Sequence, residues 1–265
     1  MSDTGLNGSW ALILGASSGF GAATARALAR KGVNIFGVHL DRKATLPQVE
    51  ALVEELRGTG VRVRYFNVNA ADEAKRREVL DAVAAECGEG PKVRVLMHSL
   101  AFGALRSFVG DPAETLTKAQ MEMTLDVMAH SLVYWTQDLV ARDLFDRNGR
   151  VFAMTSSGGQ RVWAYYGAVS AAKAALESHI RQLALELAPR GITANAIRAG
   201  VTDTPALRKI PGHEQMVEVA RSRNPMGRLT TPEDVAEAIA LLSEPASHWI
   251  TGNVIGVDGG EDITG

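Results

Sequence analysis

The 265-residue chain has one cysteine, Cys87, so it cannot form an internal disulfide framework or a thiolate-rich zinc site. Its six histidines (His39, His98, His130, His179, His213 and His248) show neither the i,i+4 pair of a zinc-binding helix nor a neighbouring carboxylate run, so no metal site is expected. Neither sign of charge is in excess. The 28 Lys+Arg against 30 Asp+Glu leave a formal charge of −2, which offers no basic surface to nucleic acid or to an anionic membrane. No apolar run approaches the ~18 residues of a membrane span, and Met1-Ser2-Asp3-Thr4 lacks the basic start and apolar stretch of a signal peptide. With 26 glycines, nine prolines and no repeat, linker or break in composition, low complexity and disorder are excluded as well. The expectation is a cytoplasmic, soluble globular protein folded as a single domain over residues 1–265. A chain of this length buries roughly three quarters of the surface it exposes when unfolded.

Short β-rich runs alternate with helical segments along the whole length. Ala11 to Leu14 is a continuous apolar run ending at Gly15, which suits a strand buried on both faces. Val33 to Val38, Val61 to Val68, Val93 to Met97, Val151 to Met154, Ala194 to Ile197 and Val254 to Val257 repeat the pattern. Between them, Val49, Leu52, Val53 and Leu56 fall on one helical face, with Thr45 as N-cap, Pro47 in the first turn and Gly58 past the end. Asp72 caps a helix towards Cys87, and Thr117 with Gln120 reads as a capping box for a long helix towards Phe145. Thr231 precedes Pro232 at the first position of another helix. Strands separated by helices of this length imply crossovers and a parallel sheet. The predicted fold is α/β: a Rossmann-type, doubly wound parallel sheet of about seven strands with helices on both faces. Ligands of such sheets lie beyond the carboxyl ends of the strands.

At the first of those ends stands Gly15-Ala16-Ser17-Ser18-Gly19-Phe20-Gly21, followed by a helix-forming run. Glycines permit a tight turn and a close approach of backbone N–H groups to a pyrophosphate, which the helix N-terminus favours electrostatically. A purely structural turn is the alternative, but a buried strand before it and a helix after it are the context that gives the motif meaning.

This G-x-x-x-G-x-G spacing, together with a Tyr and a Lys in mid-chain, resembles the short-chain dehydrogenase/reductase family over nearly the whole chain. The resemblance extends to Asn67-Val68, where the family has an Asp-Val over the adenine, and to the stretch from Ile250 to Gly260. It implies a dinucleotide site of Gly15, Ser17, Ser18, Gly19, Phe20, Gly21, His39, Asp41, Arg42, Asn67, Val68, Ser99, Leu100, Ala101, Lys173, Gly200, Val201 and Thr204. An acid after the second strand accepts from a ribose 2′-hydroxyl, whereas Arg or Lys pairs with a 2′-phosphate. Asp41 follows the strand end by one or two positions and is surrounded by His39, Arg42 and Lys43, so NADPH is expected over NADH. A solvated charge cluster ahead of a helix is the bland alternative.

Tyr166 stands seven residues before Lys173, and position 169, where most of the family has its active tyrosine, is valine. Seven steps of ~100° come within ~20° of two turns, so both side chains leave one helix face; Tyr165 is about 80° off and is the lesser candidate. The cation is expected to lower the phenol's pKa from its unperturbed ~10. A Tyr–Lys pair at helical spacing, taken alone, is ordinarily core plus a snorkelling lysine.

The Tyr-x6-Lys spacing is similar to the enoyl-acyl-carrier-protein reductase branch, and His98-Ser99-Leu100-Ala101-Phe102 resembles that branch's His-Ser-x-x-Phe. Met128 replaces a structural Asn of the ketone reductases. Asp203-Thr204-Pro205-Ala206-Leu207 is similar to the type III class, which implies a substrate lid at about 205–223 and leaves Leu207, Ile210, Met216 and Val217 as either tunnel lining or helix core. Ser156, seventeen before Lys173 and ten before Tyr166, is a third catalytic candidate. The implied activity is hydride transfer from NADPH to the β-carbon of a trans-2-enoyl thioester, on acyl carrier protein, in fatty-acid synthesis. The alternatives are a ketone or alcohol oxidoreductase (3-ketoacyl, steroid or sugar) and a non-catalytic dinucleotide-binding sensor. Surplus apolar surface on the helices from Thr117 to Phe145 and from Tyr166 to Ala188 suggests a homotetramer.

Overall fold

Aliphatic and β-branched runs supply seven strands: β1 (Trp10–Leu14), β2 (Asn34–His39), β3 (Val63–Asn67), β4 (Val93–His98), β5 (Phe145–Ser156), β6 (Thr193–Ala199) and β7 (Val254–Val257). The structure, a computed structural model, describes residues 5–264; the opening tetrapeptide read above for a signal lies outside the described residues. The strands form one sheet in the order β3-β2-β1-β4-β5-β6-β7, parallel throughout. This is the Rossmann-type doubly wound arrangement expected from the alternation. After β3 the chain returns to the middle of the sheet and lays β4 beside β1. The switch point, where such sheets bind ligands, therefore lies between β1 and β4.

Every residue of β1, β2 and β4 is buried, because helices cover both faces. Strand alternation splits β1 between two cores. Trp10, Leu12 and Leu14 join α3 (Glu73–Cys87), α5 (Ser131–Ala141) and α6 (Gly167–Leu187). Ala11 and Ile13 join α1 (Gly19–Ala29), α2 (Leu46–Arg57) and, among the later helices, the Pro232–Leu242 segment. Each fully buried aliphatic side chain contributes about 1.5–3 kcal/mol by leaving water, and these layers fix the strand ends that bear the site.

Local signals hold at three helix starts. Asp72 accepts from Lys75 N–H at 3.0 Å, Thr117 and Gln120 close a capping box, and Thr231 forms a second box with Asp234. Thr45 departs from expectation: its hydroxyl donates to the Asp41 carboxylate (2.8 Å) and the Arg42 carbonyl (3.0 Å) and caps nothing. The predicted helix from Thr117 to Phe145 is also not one regular helix. It runs as α4 (Lys118–Leu125), a five-residue π turn (Asp126–His130) and α5, which ends at Ala141. Asp143 then takes a left-handed φ of 53°, Leu144 N–H bonds the Leu139 carbonyl, and Phe145 opens β5 instead.

The remaining helices are α7 (His213–Arg223) and α8 (Pro232–Leu242). Among the described residues no helix is long and apolar enough to cross a membrane, and no three His, Cys, Asp or Glu residues converge as a metal site.

Candidate active site

The end of β1 is shaped by two glycines. A Cβ at Gly15 (φ +90°) would fall on the Ser99 carbonyl at the end of β4, and one at Gly21 would fall on the Gly15 carbonyl. Strand, turn and helix approach more closely here than any side chain allows. Ser18 precedes α1 with an extended backbone and no side-chain cap, so the first-turn N–H groups face the cleft without a protein side chain on them. Thr204, from the β6 loop, lies across from Gly19, its Cγ2 3.6 Å from where a Cβ would be. Backbone donors, absent side chains and an uncapped helix start together fit a pyrophosphate.

At the end of β2, the Asp41 carboxylate is already engaged. It accepts from Thr45 and faces His39 Nδ1 at 2.9 Å, and these bonds, with Ser17, hold it below the usual range although burial works against them. His39 itself is buried beneath the turn, against Tyr65. Asn67 ties β3 to β2 by accepting from Asp41 N–H (2.9 Å) and donating to the Asp41 carbonyl (3.0 Å). Val68 N–H bonds the His39 carbonyl. Arg42 and Lys43 are exposed and carry no ion pair among the described residues.

On the other side of the switch point, Ser156 ends β5 and its Oγ lies 3.5 Å from the Tyr166 hydroxyl, with Gly158 packed against the phenol. Tyr166 is the cap residue of α6, its carbonyl accepting from Ser170 N–H, and Tyr165 before it takes a left-handed φ of 65° and is half-exposed. A bulky residue in that region carries about 1–2 kcal/mol of strain. The phenol is thus presented from the helix start, not from within a regular turn as the spacing had suggested. No hydrogen bond joins Tyr166 to Lys173. Burial raises the phenol's pKa, and Ser156 opposes this only in part, so the expected lowering by Lys173 is corrected.

Lys173 does not snorkel. It is buried, donates to the Met154 carbonyl at 2.7 Å, and burial brings its pKa down to about 8 against the pull of Glu177 one turn later. Glu177 is buried too and accepts from Thr155 at 2.7 Å. His98, at the end of β4, is fully buried; burial and the Lys173 charge push it down to about 3. The Ser131 hydroxyl donates to the Val127 carbonyl inside the π turn, so it accepts from His98 Nε2–H at 2.9 Å. His98 Nδ1 is then an unpartnered acceptor. Val169 and Met128, the two residues that set this chain apart in sequence, are both buried against the core, so neither presents a hydroxyl or an amide to the cleft.

After β6, Gly200 N–H bonds the Val257 carbonyl and Val201 N–H bonds Glu261 Oε2 at 3.0 Å. The Thr204 hydroxyl accepts from Leu207 N–H and so starts the predicted lid, which comprises a 3₁₀ turn (Leu207–Lys209) and α7. Trp163 donates to the Pro211 carbonyl at 3.2 Å, joining the segment expected to form a lid to the loop before Tyr166. Leu207 is buried, while Ile210, Met216 and Val217 are half-buried.

A family model described as Enoyl-(Acyl carrier protein) reductase matches residues 15–261. The chain belongs to the short-chain dehydrogenase/reductase family. It is 30% identical over 257 residues to 3-oxoacyl-(acyl-carrier-protein) reductase FabG of Thermotoga maritima, covering 96% of this chain and 98% of that one. It is 32% identical over 257 residues to 1-cyclohexenylcarbonyl-CoA reductase of Streptomyces collinus, covering 95% and 86%. The crystal structure of enoyl-(acyl-carrier-protein) reductase (NADH) from Aquifex aeolicus superposes with a TM-score of 0.83 at 28% identity, covering 98% of both chains. The protein is therefore an oxidoreductase of this family that uses a nicotinamide dinucleotide.

Within this short-chain dehydrogenase/reductase the structure gathers the residues singled out in the sequence at the carboxyl ends of β1, β2, β3, β4, β5 and β6, with Tyr166 capping α6 and Lys173 within it. Leu100 reaches Gly15, whereas Ala101 and Phe102 are exposed beyond β4. Three groups were missed. Glu177 had a signal, being four residues after Lys173 on the same helix; Ser131 and Glu261 had none, because only the fold brings them in.

Proposed function

We propose that this chain is an NADPH-dependent enoyl-thioester reductase acting on a trans-2-enoyl group carried on acyl carrier protein, in fatty-acid synthesis. The observation that carries the reading is a half-buried phenol seven residues before a buried ammonium, with valine where a ketone reductase has its tyrosine. When bound, the dinucleotide supplies the hydride that the β-carbon receives. Negative charge then develops on the thioester oxygen, several bonds from that carbon, which asks for a donor set back from the point of transfer.

Tyr166 meets this requirement. With its pKa raised by burial, the phenol keeps its proton at neutral pH and donates a hydrogen bond to the developing oxyanion. Ser156 Oγ, 3.5 Å away, orients that hydroxyl. Lys173, fixed on the Met154 carbonyl, is the group for the nicotinamide ribose, and Glu177 helps it stay charged. The glycine loop from Gly15 to Gly21 takes the pyrophosphate, and the loop from Gly200 to Thr204 the carboxamide end. NADPH is preferred over NADH because the Asp41 carboxylate is engaged by Thr45 and His39, leaving Arg42 and Lys43 for a 2′-phosphate.

One observation favours a second reading, reduction of a ketone. Ser156 beside Tyr166 is the pair a carbonyl oxygen would meet, and a 3-oxoacyl reductase is among the full-length relatives. Crotonyl and acetoacetyl thioesters separate the two. NADPH oxidation with the crotonyl thioester alone is expected, and oxidation with the acetoacetyl thioester alone contradicts the proposal. A homotetramer is proposed on the helix faces that expose Tyr134 and Leu185, with light scattering as its check.

A further inference from the structure

Beyond β7 the chain makes an abrupt turn whose parts converge on the cleft. Gly259 (φ +63°) and Gly260 (φ +85°) both adopt left-handed backbone, which folds the chain back on itself. Asp258 holds the turn from within: one carboxylate oxygen accepts from Gly260 N–H at 3.0 Å and the other from Asp262 N–H at 3.1 Å. Asn224, just past α7, donates to the Asp258 carbonyl at 2.8 Å, and Thr264 donates to the Arg223 carbonyl at 2.9 Å. The end of the lid helix is thus seated on this turn.

The two carboxylates that follow reach different loops of the site. Glu261 Oε2 accepts from Val201 N–H at 3.0 Å. The β6 loop lies so close that a Cβ on Gly200 would stand 2.9 Å from Glu261 Oε2 and 3.1 Å from Asp258 Cα. Asp262 bonds Arg161 at 2.9 Å through its side chain and at 3.1 Å through its carbonyl, and Arg198 of β6 at 3.2 Å. Arg161 belongs to the loop between Ser156 and Tyr166. Burial raises the Glu261 pKa, assisted by Asp258 and Asp262 and opposed by the Val201 N–H bond and by Arg161.

We propose that Glu261 and Asp262 are positioning residues, Glu261 fixing the β6 loop that receives the dinucleotide and Asp262 fixing the loop that presents Tyr166. The inference rests on the dinucleotide site proposed above, but not on which bond is reduced. A bond from an amide to a carboxylate contributes enough that its loss should weaken binding about tenfold.

Hydrogen exchange read by mass spectrometry, with NADPH titrated by its own fluorescence, tests this on the whole chain. Glu261→Ala should speed exchange at Val201 and weaken NADPH binding about tenfold, while Glu261→Gln, which keeps an accepting oxygen, should restore both. Asp262→Ala should speed exchange in residues 157–166 and leave Val201 protected. Unchanged exchange at Val201 in Glu261→Ala, no recovery with Gln, or faster exchange spread evenly over the chain would each overturn the assignment. A wild-type protein that binds neither NADPH nor NADH, with the exchange results as expected, would instead overturn the dinucleotide reading.

Discussion

On the β1–β2 side of the cleft the shape is made by backbone: Gly15 and Gly21 let a strand, a turn and a helix close to distances at which no Cβ fits. On the β4–β5 side it is made by ionisable side chains drawn from water, His98, Lys173 and Glu177 fully and Tyr166 in part, each partly compensated by a neighbour. The first kind, the glycine turn itself, tolerates no added atom and carries no titratable group. The second depends on which protons are in place. Steric exclusion serves a ligand whose position must not vary, and buried titratable groups serve a reaction that moves charge.

The largest effect should come from breaking the steric side. Gly21→Ala places a methyl on the Gly15 carbonyl and should cost about 4 kcal/mol in denaturant unfolding, since backbone cannot yield as a side chain does. Next comes acid unfolding on the charged side. Native His98 stays neutral down to about 3 while the unfolded chain protonates it near ~6.5, so the unfolded state binds more protons between these values. Stability should therefore fall by a few kcal/mol as pH drops across that window, and His98→Asn should flatten the fall.

Tyr166→Phe sharpens the comparison without disturbing the fold. Turnover should drop ~100-fold, the equivalent of about 3 kcal/mol in the barrier, with NADPH affinity near wild type. Unchanged turnover would remove Tyr166 from the role given to it. The smallest effect concerns Lys173. Its folded pKa of about 8 lies below the ordinary 10.5, so the ammonium is present below pH 8 and lost above it. Turnover should fall up to about tenfold per pH unit above pH 8, and Glu177→Gln should move that descent to lower pH.

The same division governs what could be read from the chain. The glycine loop, the strand sequence and the caps at Asp72, Thr117 and Thr231 rest on local sterics and local hydrogen bonds, which neighbouring residues specify. Thr45 misled because the Asp41 carboxylate, four residues earlier, competed for its hydroxyl. The helix expected to reach Phe145 was interrupted where Ser131 turns to Val127 and receives His98 from another strand, a tertiary arrangement with no local signature. The phenol's pKa went the other way because a helical wheel gives direction and not burial: Lys173 is held by the Met154 carbonyl, so desolvation governs Tyr166. Glu261 was invisible for the same reason, sixty residues from the amide it holds.

Where the hydride arrives tests the account most directly. NADPH deuterated at the transferring position of its nicotinamide, incubated with the enzyme and a crotonyl thioester, should yield a butyryl thioester whose deuterium NMR signal lies on the β-carbon. Deuterium found only on the hydroxyl-bearing carbon of a reduced acetoacetyl thioester, with none in the crotonyl product, would contradict it.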